Sequence, residues 1–333
     1  MAESHRVLII GVGSIGERHL RCFQQTGRCA PALCETNAGL REQIAQRYSV
    51  KDAYDGLDSM PLDRFDAAVI CTPAPLHIPM ARRLVEAGLH VLIEKPLSIG
   101  LDGIDELKQL LHEKQRVGAV AYVHRANPLL AQMKQALDEG RFGEPMQVVS
   151  VSGQHFPTFR PAYREIYYNN HATGGGAIQD ALTHALNAGE WLVGPIERLA
   201  ADAAHQVLDG VDVEDTVHVL ARHGRVLGNF SLNQFQAPAE FFLQVNATQG
   251  SCRYEPTANR WRWMHHGDAQ WQEQCRPDLE RDTGFIAQAN AFLNCLEGRC
   301  ARPLCTIEEG EQTLRVNLAA LRSVADEGKF TRV

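Results

Sequence analysis

Arg6–Glu35 reads RVLIIGVGSIGERHLRCFQQTGRCAPALCE, and this stretch decides the fold. Four apolar residues, Val7–Ile10, form a short buried strand that runs into Gly11, Gly13 and Gly16, spaced G-x-G-x-x-G. Each glycine has its own task. Gly11 permits a tight turn, Gly13 lets the backbone approach a pyrophosphate, and Gly16 lets the next helix pack close to the strand. That helix runs to about Thr26 and aims its N-terminal amides and positive dipole end at the phosphates. A second apolar strand, Ala30–Cys34, ends in Glu35, an acid placed to accept hydrogen bonds from an adenosine ribose and to repel the extra phosphate of NADP. Strand, glycines, helix, strand and acid together predict a βαβ unit that holds NAD.

Outward from this unit the alternation continues. Ala38–Tyr48 is helix-like, and Ala67–Cys71 is a buried parallel strand ending in Thr72 and Pro73, at the sheet edge where such folds place ligands. Ile78–Ala87 is a helix, His90–Ile93 a strand that stops at Glu94-Lys95-Pro96, Gly103–Lys114 a helix and Val117–Tyr122 the sixth strand. Six strands with intervening helices complete a doubly wound domain, placed at residues 1–123. Residues 124–333 have a different grammar. Leu129–Glu139 and Gly176–Leu192 read as helices, and Met146–Gln154 as a strand. His155–Gly175 is a long polar and aromatic stretch of a kind usually functional. From Ile196 to Gln249, HVLAR, VLGNFSLNQF and FFLQVNA follow one another without helices, which predicts antiparallel pairing. Trp261–Trp271 is expected as a hairpin, and Phe285–Leu296 and Ile307–Glu327 as closing helices. The expected architecture is an α/β Rossmann domain followed by an α+β domain with a mostly antiparallel open sheet.

At 333 residues the chain is long enough for about two domains. A formal charge of -7, without a Lys/Arg run or a basic-aromatic stripe, argues against nucleic acid as partner. No apolar run approaches the ~20 residues a membrane helix needs, and the N-terminal apolar run is too short for a signal peptide. Nine cysteines, none in a C-x-x-C pair, read as reduced thiols of a cytoplasmic protein, with Cys300 and Cys305 incidental.

Three groups of residues carry candidate chemistry. Lys95, at a strand end of the glycine-bearing sheet, is placed to bind a substrate hydroxyl and stabilise negative charge developing on its oxygen. Its neighbour Pro96 is compatible with a cis bond that fixes the lysine's direction. Asp180 and His184 stand at i, i+4 on one helix after Gly174-Gly175-Gly176, a pair suited to proton transfer near neutral pH with the acid orienting the imidazole. The same spacing suits a metal site, but no H-E-x-x-H motif accompanies it, and no metal is expected. In FRPAYREIYY, Arg160, Tyr163, Arg164 and Tyr167 are donors for a polar substrate, or else anchors of a solvated loop; Arg125 is a further crevice candidate.

Taken together, GVGSIGERH (Gly11–His19), CTPAPLH (Cys71–His77), EKP (Glu94–Pro96) and GGGAIQDALTH (Gly174–His184) resemble the Gfo/Idh/MocA family of NAD(P)-dependent oxidoreductases over nearly the whole chain. The resemblance implies that Lys95 is catalytic, that His184 is the acid/base beside Asp180, and that Ser14, Ile15, Thr72, Pro73, His77 and Glu94 join Gly11, Gly13, Gly16, Glu35 and Lys95 around the cofactor. Leu182 and Asn187 depart from the family pattern beside the catalytic helix. FRPAYREIYY is similar to a subgroup acting on sugars or nucleotide-sugars. The implied activity is hydride transfer between a sugar- or cyclitol-like secondary alcohol and NAD, rather than NADP, in a homodimer or homotetramer assembled through the C-terminal sheet. Two other readings stay open: an enzyme that retains NAD for transient oxidation during glycoside cleavage or epimerisation, and a non-catalytic NAD or sugar sensor.

Overall fold

The computed structural model describes residues 5–333. The chain forms two compact units, one made of the chain up to Ala126 together with Glu280–Glu311, the other of Asn127–Leu279 with Gln312–Val333. This differs from the expected division at 123/124, because Glu280–Glu311 returns to the first unit.

The first unit contains β1 (His5–Ile10), α1 (Ser14–Gln25), β2 (Cys29–Cys34), α2 (Ala38–Arg47), β3 (Ala53–Tyr54), β4 (Ala67–Ile70), α3 (His77–Glu86), β5 (His90–Ile93), α4 (Ile104–Glu113) and β6 (Gly118–Val120). Its strands are all parallel, in the order β3-β2-β1-β4-β5-β6, the doubly wound dinucleotide-binding arrangement. Val7, Leu8, Ile9 and Ile10 of β1 are buried, as a central strand covered on both faces requires, and each contributes about 2 kcal/mol of apolar burial. Asn37 starts α2 by accepting the Leu40 amide at 3.0 Å. The sequence pattern locates five of these six strands; the one it does not locate is β3, whose two residues are too few to show a period.

The second unit opens with α5 (Pro128–Asp138), capped by the Asn127 side chain with Pro128 in the first turn. Then come β7 (Pro145–His155), the single turn α6 (Phe156–Phe159), α7 (Thr183–Val193), β8 (Arg198–Ala204), β9 (Thr216–His223), β10 (Val226–Asn233), β11 (Phe235–Ala247), β12 (Gly250–Glu255), β13 (Arg260–His265) and β14 (Gln272–Cys275). With β15 (Thr331–Arg332) these make a nine-stranded sheet in the order β14-β13-β12-β11-β7-β10-β9-β8-β15. Only β7 and β10 pair in parallel, so the sheet is mixed and mostly antiparallel. Its inner face packs Val217, Val219, Phe230, Leu243 and Val245 against α5 and α7. Two helices follow β14. Helix α8 (Thr283–Leu296) lies in the first unit, where Phe292 and Leu293 join Phe23 and Leu20 in the core. Helix α9 (Ile307–Ala325) begins in the first unit and continues into the second.

Two expectations need correction. The helix expected over Gly176–Leu192 is a π turn, Ala177–Leu182, followed by α7. Cys295 and Cys300 form a disulfide, so Cys300 is not an incidental thiol; Cys305 is buried and free.

Candidate active site

The first unit's candidate residues collect at one edge of its sheet. Ile10, Ile70 and Ile93 lie side by side in register, so Gly11, Cys71 and Glu94 follow at the same carboxyl edge. Gly11 has φ +78° and an added Cβ would stand 3.0 Å from Cys71 O, so both the turn and the approach require glycine. At Gly16 an added Cβ would fall 1.8 Å from Gly11 O, which is the close helix–strand packing expected there. Gly13 differs: a Cβ at that position would meet nothing within 4 Å. The backbone beside α1's first turn is therefore open, with Ser14 exposed and Ile15 half-buried next to it. This open cradle at a helix N-terminus fits a dinucleotide pyrophosphate. Glu35 accepts the Val12 amide on Oε2 at 3.0 Å and the Asn37 amide on Oε1 at 2.9 Å. One carboxylate thus ties the glycine turn to the end of β2, and its remaining lone pairs suit ribose hydroxyls.

Lys95 sits half-buried in a tightly held loop. The Lys95–Pro96 bond is cis. Glu94 is 5% exposed, and its carboxylate lies 2.7 Å from His19 Nε2 through Oε1 while Oε2 accepts the Lys95 amide at 3.0 Å. Burial pushes the Glu94 carboxyl up, but the bond and charge of His19 and the charge of Lys95 outweigh it and hold the group below its ordinary range. His77 is 1% exposed, with Nδ1 3.0 Å from Pro96 O and Nε2 2.8 Å from Thr72 O. Carbonyls only accept, so the ring donates to at least one of them and ties the Lys95 loop to the end of β4. Burial lowers the imidazole's pKa, opposed by these carbonyls and by Glu94. The polar atoms of Glu94 and His77, both expected around the cofactor, hold the Lys95 loop at this edge. Thr72 is half-buried and Pro73 exposed at the same edge. Desolvation, with Glu94 nearby, raises the Cys71 thiol well above its usual range, which favours the neutral thiol. Arg125 is 2% exposed and reaches Glu309 at 2.8 Å and Leu304 O at 3.0 Å, a structural tie rather than a crevice donor.

In the second unit Asp180 lies in the π turn and His184 in the first turn of α7, both half-buried. Single π turns inside helices are frequent at functional sites. Asp180 Oδ1 accepts the Tyr167 hydroxyl at 2.7 Å, so Tyr167 acts on the acid directly. The other donors of FRPAYREIYY divide. Tyr163 is buried against Phe156 and Tyr168, with its hydroxyl donating to Asp209 O at 2.6 Å. Arg164 donates to the same carbonyl at 2.8 Å and pairs with the Asp209 carboxylate. Both are loop anchors, the blander of the two expected readings. Arg160 stays half-exposed at the end of α6. Among the described residues no group of three His, Cys, Asp or Glu is placed to hold a metal ion.

His19 was missed as a functional contributor, although it stands in the quoted glycine stretch; a histidine 1% exposed on a helix demands a partner, and only the fold shows that it is Glu94. Glu214, which holds the Ile178 amide from 36 residues away, left no local signal.

A six-stranded parallel sheet with this glycine turn and acid defines a dinucleotide-binding protein. Residues 5–122 match the model of the oxidoreductase family with an NAD-binding Rossmann fold, and residues 130–253 match the GFO/IDH/MocA C-terminal domain. The chain belongs to the GFO/IDH/MocA oxidoreductase family. The inositol 2-dehydrogenase/D-chiro-inositol 3-dehydrogenase of Halalkalibacterium halodurans is 26% identical over 190 residues, 56% of this chain and 51% of that protein. The levoglucosan dehydrogenase of Pseudarthrobacter phenanthrenivorans is 27% identical over 259 residues, 66% of this chain and 65% of that protein. The chain thus spans 51% to 65% of the length of these curated relatives. A solved levoglucosan dehydrogenase in complex with NADH and levoglucosan shares the fold with a TM-score of 0.89 at 20% identity, over 99% of this chain and 100% of that one.

Proposed function

We propose that this protein is an NAD-dependent dehydrogenase of a sugar- or cyclitol-like secondary alcohol. The observation that carries this reading is Lys95, fixed by the buried Glu94 carboxylate at the carboxyl edge of a parallel sheet whose first turn is open for a pyrophosphate. Gly11, Gly13, Gly16 and the first amides of α1 hold the dinucleotide, and Glu35 reads its ribose, favouring NAD over NADP. Bound NAD supplies a hydride acceptor. His184 takes the hydroxyl proton of the alcohol, and Lys95 stabilises the negative charge that gathers on that oxygen. Asp180 orients the imidazole, and Tyr167 holds Asp180 through its hydroxyl. Arg160 is kept as a substrate contact.

The finer assignments are a cytoplasmic location and a homodimer or homotetramer formed through the nine-stranded sheet. Leu220 on β9 and Leu227 on β10, 55% and 46% exposed on the outer face, support the assembly.

Lys95→Ala tests the division of labour. Turnover falls by at least roughly a hundredfold while NADH binding stays close to wild type. Lost NADH binding in a folded variant, or retained turnover, refutes the assignment.

A further inference from the structure

The π turn that carries Asp180 is held from outside its own helix. Glu214 lies in the connection between β8 and β9, and its main-chain carbonyl accepts the Ala177 amide at 3.0 Å. Its side chain, 7% exposed, accepts the Ile178 amide on Oε1 at 2.8 Å. One residue therefore satisfies two amides that a helix start leaves without intrahelical partners. The other carboxylate oxygen, Oε2, meets His171 Nε2 at 2.5 Å. His171 lies on the loop before the glycine triplet, and Glu214 raises its imidazole above the ordinary range, against burial. The arrangement is tight: a Cβ on Gly176 would stand 2.6 Å and 2.7 Å from the Glu214 carboxylate oxygens and 2.8 Å from His171 Nε2. Gly175 is as crowded, with Tyr168 O 2.2 Å from its would-be Cβ. Glycines let the loop, the carboxylate and the start of the helix come together.

The same loop also reaches Asp180. Tyr167 donates to that carboxylate, and His171, four residues later, engages Glu214. An ordinary N-cap is the residue just before the helix; here the capping acid comes from 36 residues away in sequence and is itself clamped. We propose that Glu214, with His171 as its partner, is a positioning residue for Asp180 and His184: by gripping the first amides of the π turn it sets the register in which the pair is presented. The role rests on the proposed function of Asp180 and His184. Misplacing a reacting group by about 1 Å costs on the order of a hundredfold in rate, so a slip from π to α register is felt in turnover.

The test compares Glu214→Ala with Glu214→Gln, whose amide oxygen still accepts the Ile178 amide. Activity per NADH-binding site is measured, with hydrogen exchange at the Ala177 and Ile178 amides. Glu214→Ala lowers kcat roughly tenfold or more without changing the NADH Kd or the KM for NAD, and speeds exchange at the two amides roughly tenfold. Glu214→Gln restores most of both. Should the alanine variant fail to fold, His171→Ala, at a half-exposed side chain, carries the test with a several-fold loss of kcat and faster exchange. Unchanged kcat per site and unchanged exchange in Glu214→Ala, or in the His171 variant, overturn the proposal. So does a glutamine variant as impaired as the alanine one. Absence of turnover in the wild-type protein refutes the dehydrogenase reading instead, and the exchange data still decide whether Glu214 sets the register.

Discussion

Gly13→Ala separates cofactor binding from folding, because the three glycines of the first turn carry different constraints. Gly13 has φ -60° and ψ -169°, which alanine adopts without strain, and its added Cβ meets no atom within 4 Å. Reduced freedom of the unfolded chain favours the alanine variant, and its poorer fit at an N-cap opposes it, so net stability changes by about 0.5 kcal/mol or less. A pyrophosphate held at this turn would meet the new methyl and be displaced by about one carbon–carbon bond, ~1.5 Å. That displacement weakens hydrogen bonds from the first amides of α1 to a charged group, each worth about 1.5–3 kcal/mol. Losing one corresponds to roughly a tenfold to hundredfold weaker NADH affinity. Fluorescence titration of NADH alongside a thermal melt reads both quantities. Gly16→Ala is the contrasting control, since its Cβ would lie 1.8 Å from Gly11 O and the fold itself loses about 1–3 kcal/mol or more. Wild-type NADH affinity in Gly13→Ala, or a large drop in its melting temperature, refutes the assignment of this turn.

Tyr167→Phe removes the hydroxyl that Asp180 accepts while leaving a side chain 41% exposed, so kcat falls several-fold and urea stability changes by about 0.5 kcal/mol or less. His19→Ala strips Oε1 of the buried Glu94 carboxylate of its partner and leaves Oε2 on the Lys95 amide, and unfolding in urea records a loss of about 1–3 kcal/mol or more. His90 accepts the Val117 amide on Nδ1, and burial with Arg116 nearby lowers its pKa from 6.5 to about 4. The unfolded chain therefore takes up a proton that the folded one refuses; this stability is complete above pH 6.5 and is lost as pH falls toward 4. Thermal melts across that window fall in wild type and fall less steeply in His90→Asn, where His77, His124 and His223, also lowered by burial, still contribute.

The features that were legible in the sequence are local ones. The turn at Gly11, Gly13 and Gly16 announces itself because strand, glycines and helix are contiguous, whereas Pro96 is compatible with a cis bond and only the fold shows that it has one. Apolar runs such as Val7–Ile10 and Ala67–Ile70 name buried parallel strands through their composition. What escaped depends on partners distant along the chain. A two-residue strand at Ala53–Tyr54 has no period to read. The return of Glu280–Glu311 to the first unit is decided by Phe292 and Leu293 packing with Phe23, and an amphipathic helix does not say which core it joins. Sequence leaves Tyr163 open between substrate donor and loop anchor, because the choice depends on its buried ring and on Asp209 O, 46 residues away, which accepts its hydroxyl. The π turn had no signature, since the residue that grips its first amides, Glu214, follows it by more than thirty positions.

Oxidation of a sugar-like secondary alcohol with NAD is the activity proposed for this protein. The most direct measurement is formation of reduced nicotinamide by the purified protein across free sugars, cyclitols, sugar acids and nucleotide-sugars, with NAD and NADP in parallel. Net NADH production is expected from at least one of these classes, with NAD preferred over NADP because of Glu35. No reduced nicotinamide from any class, despite tight NADH binding, would contradict it and favour a protein that retains its cofactor or only senses it.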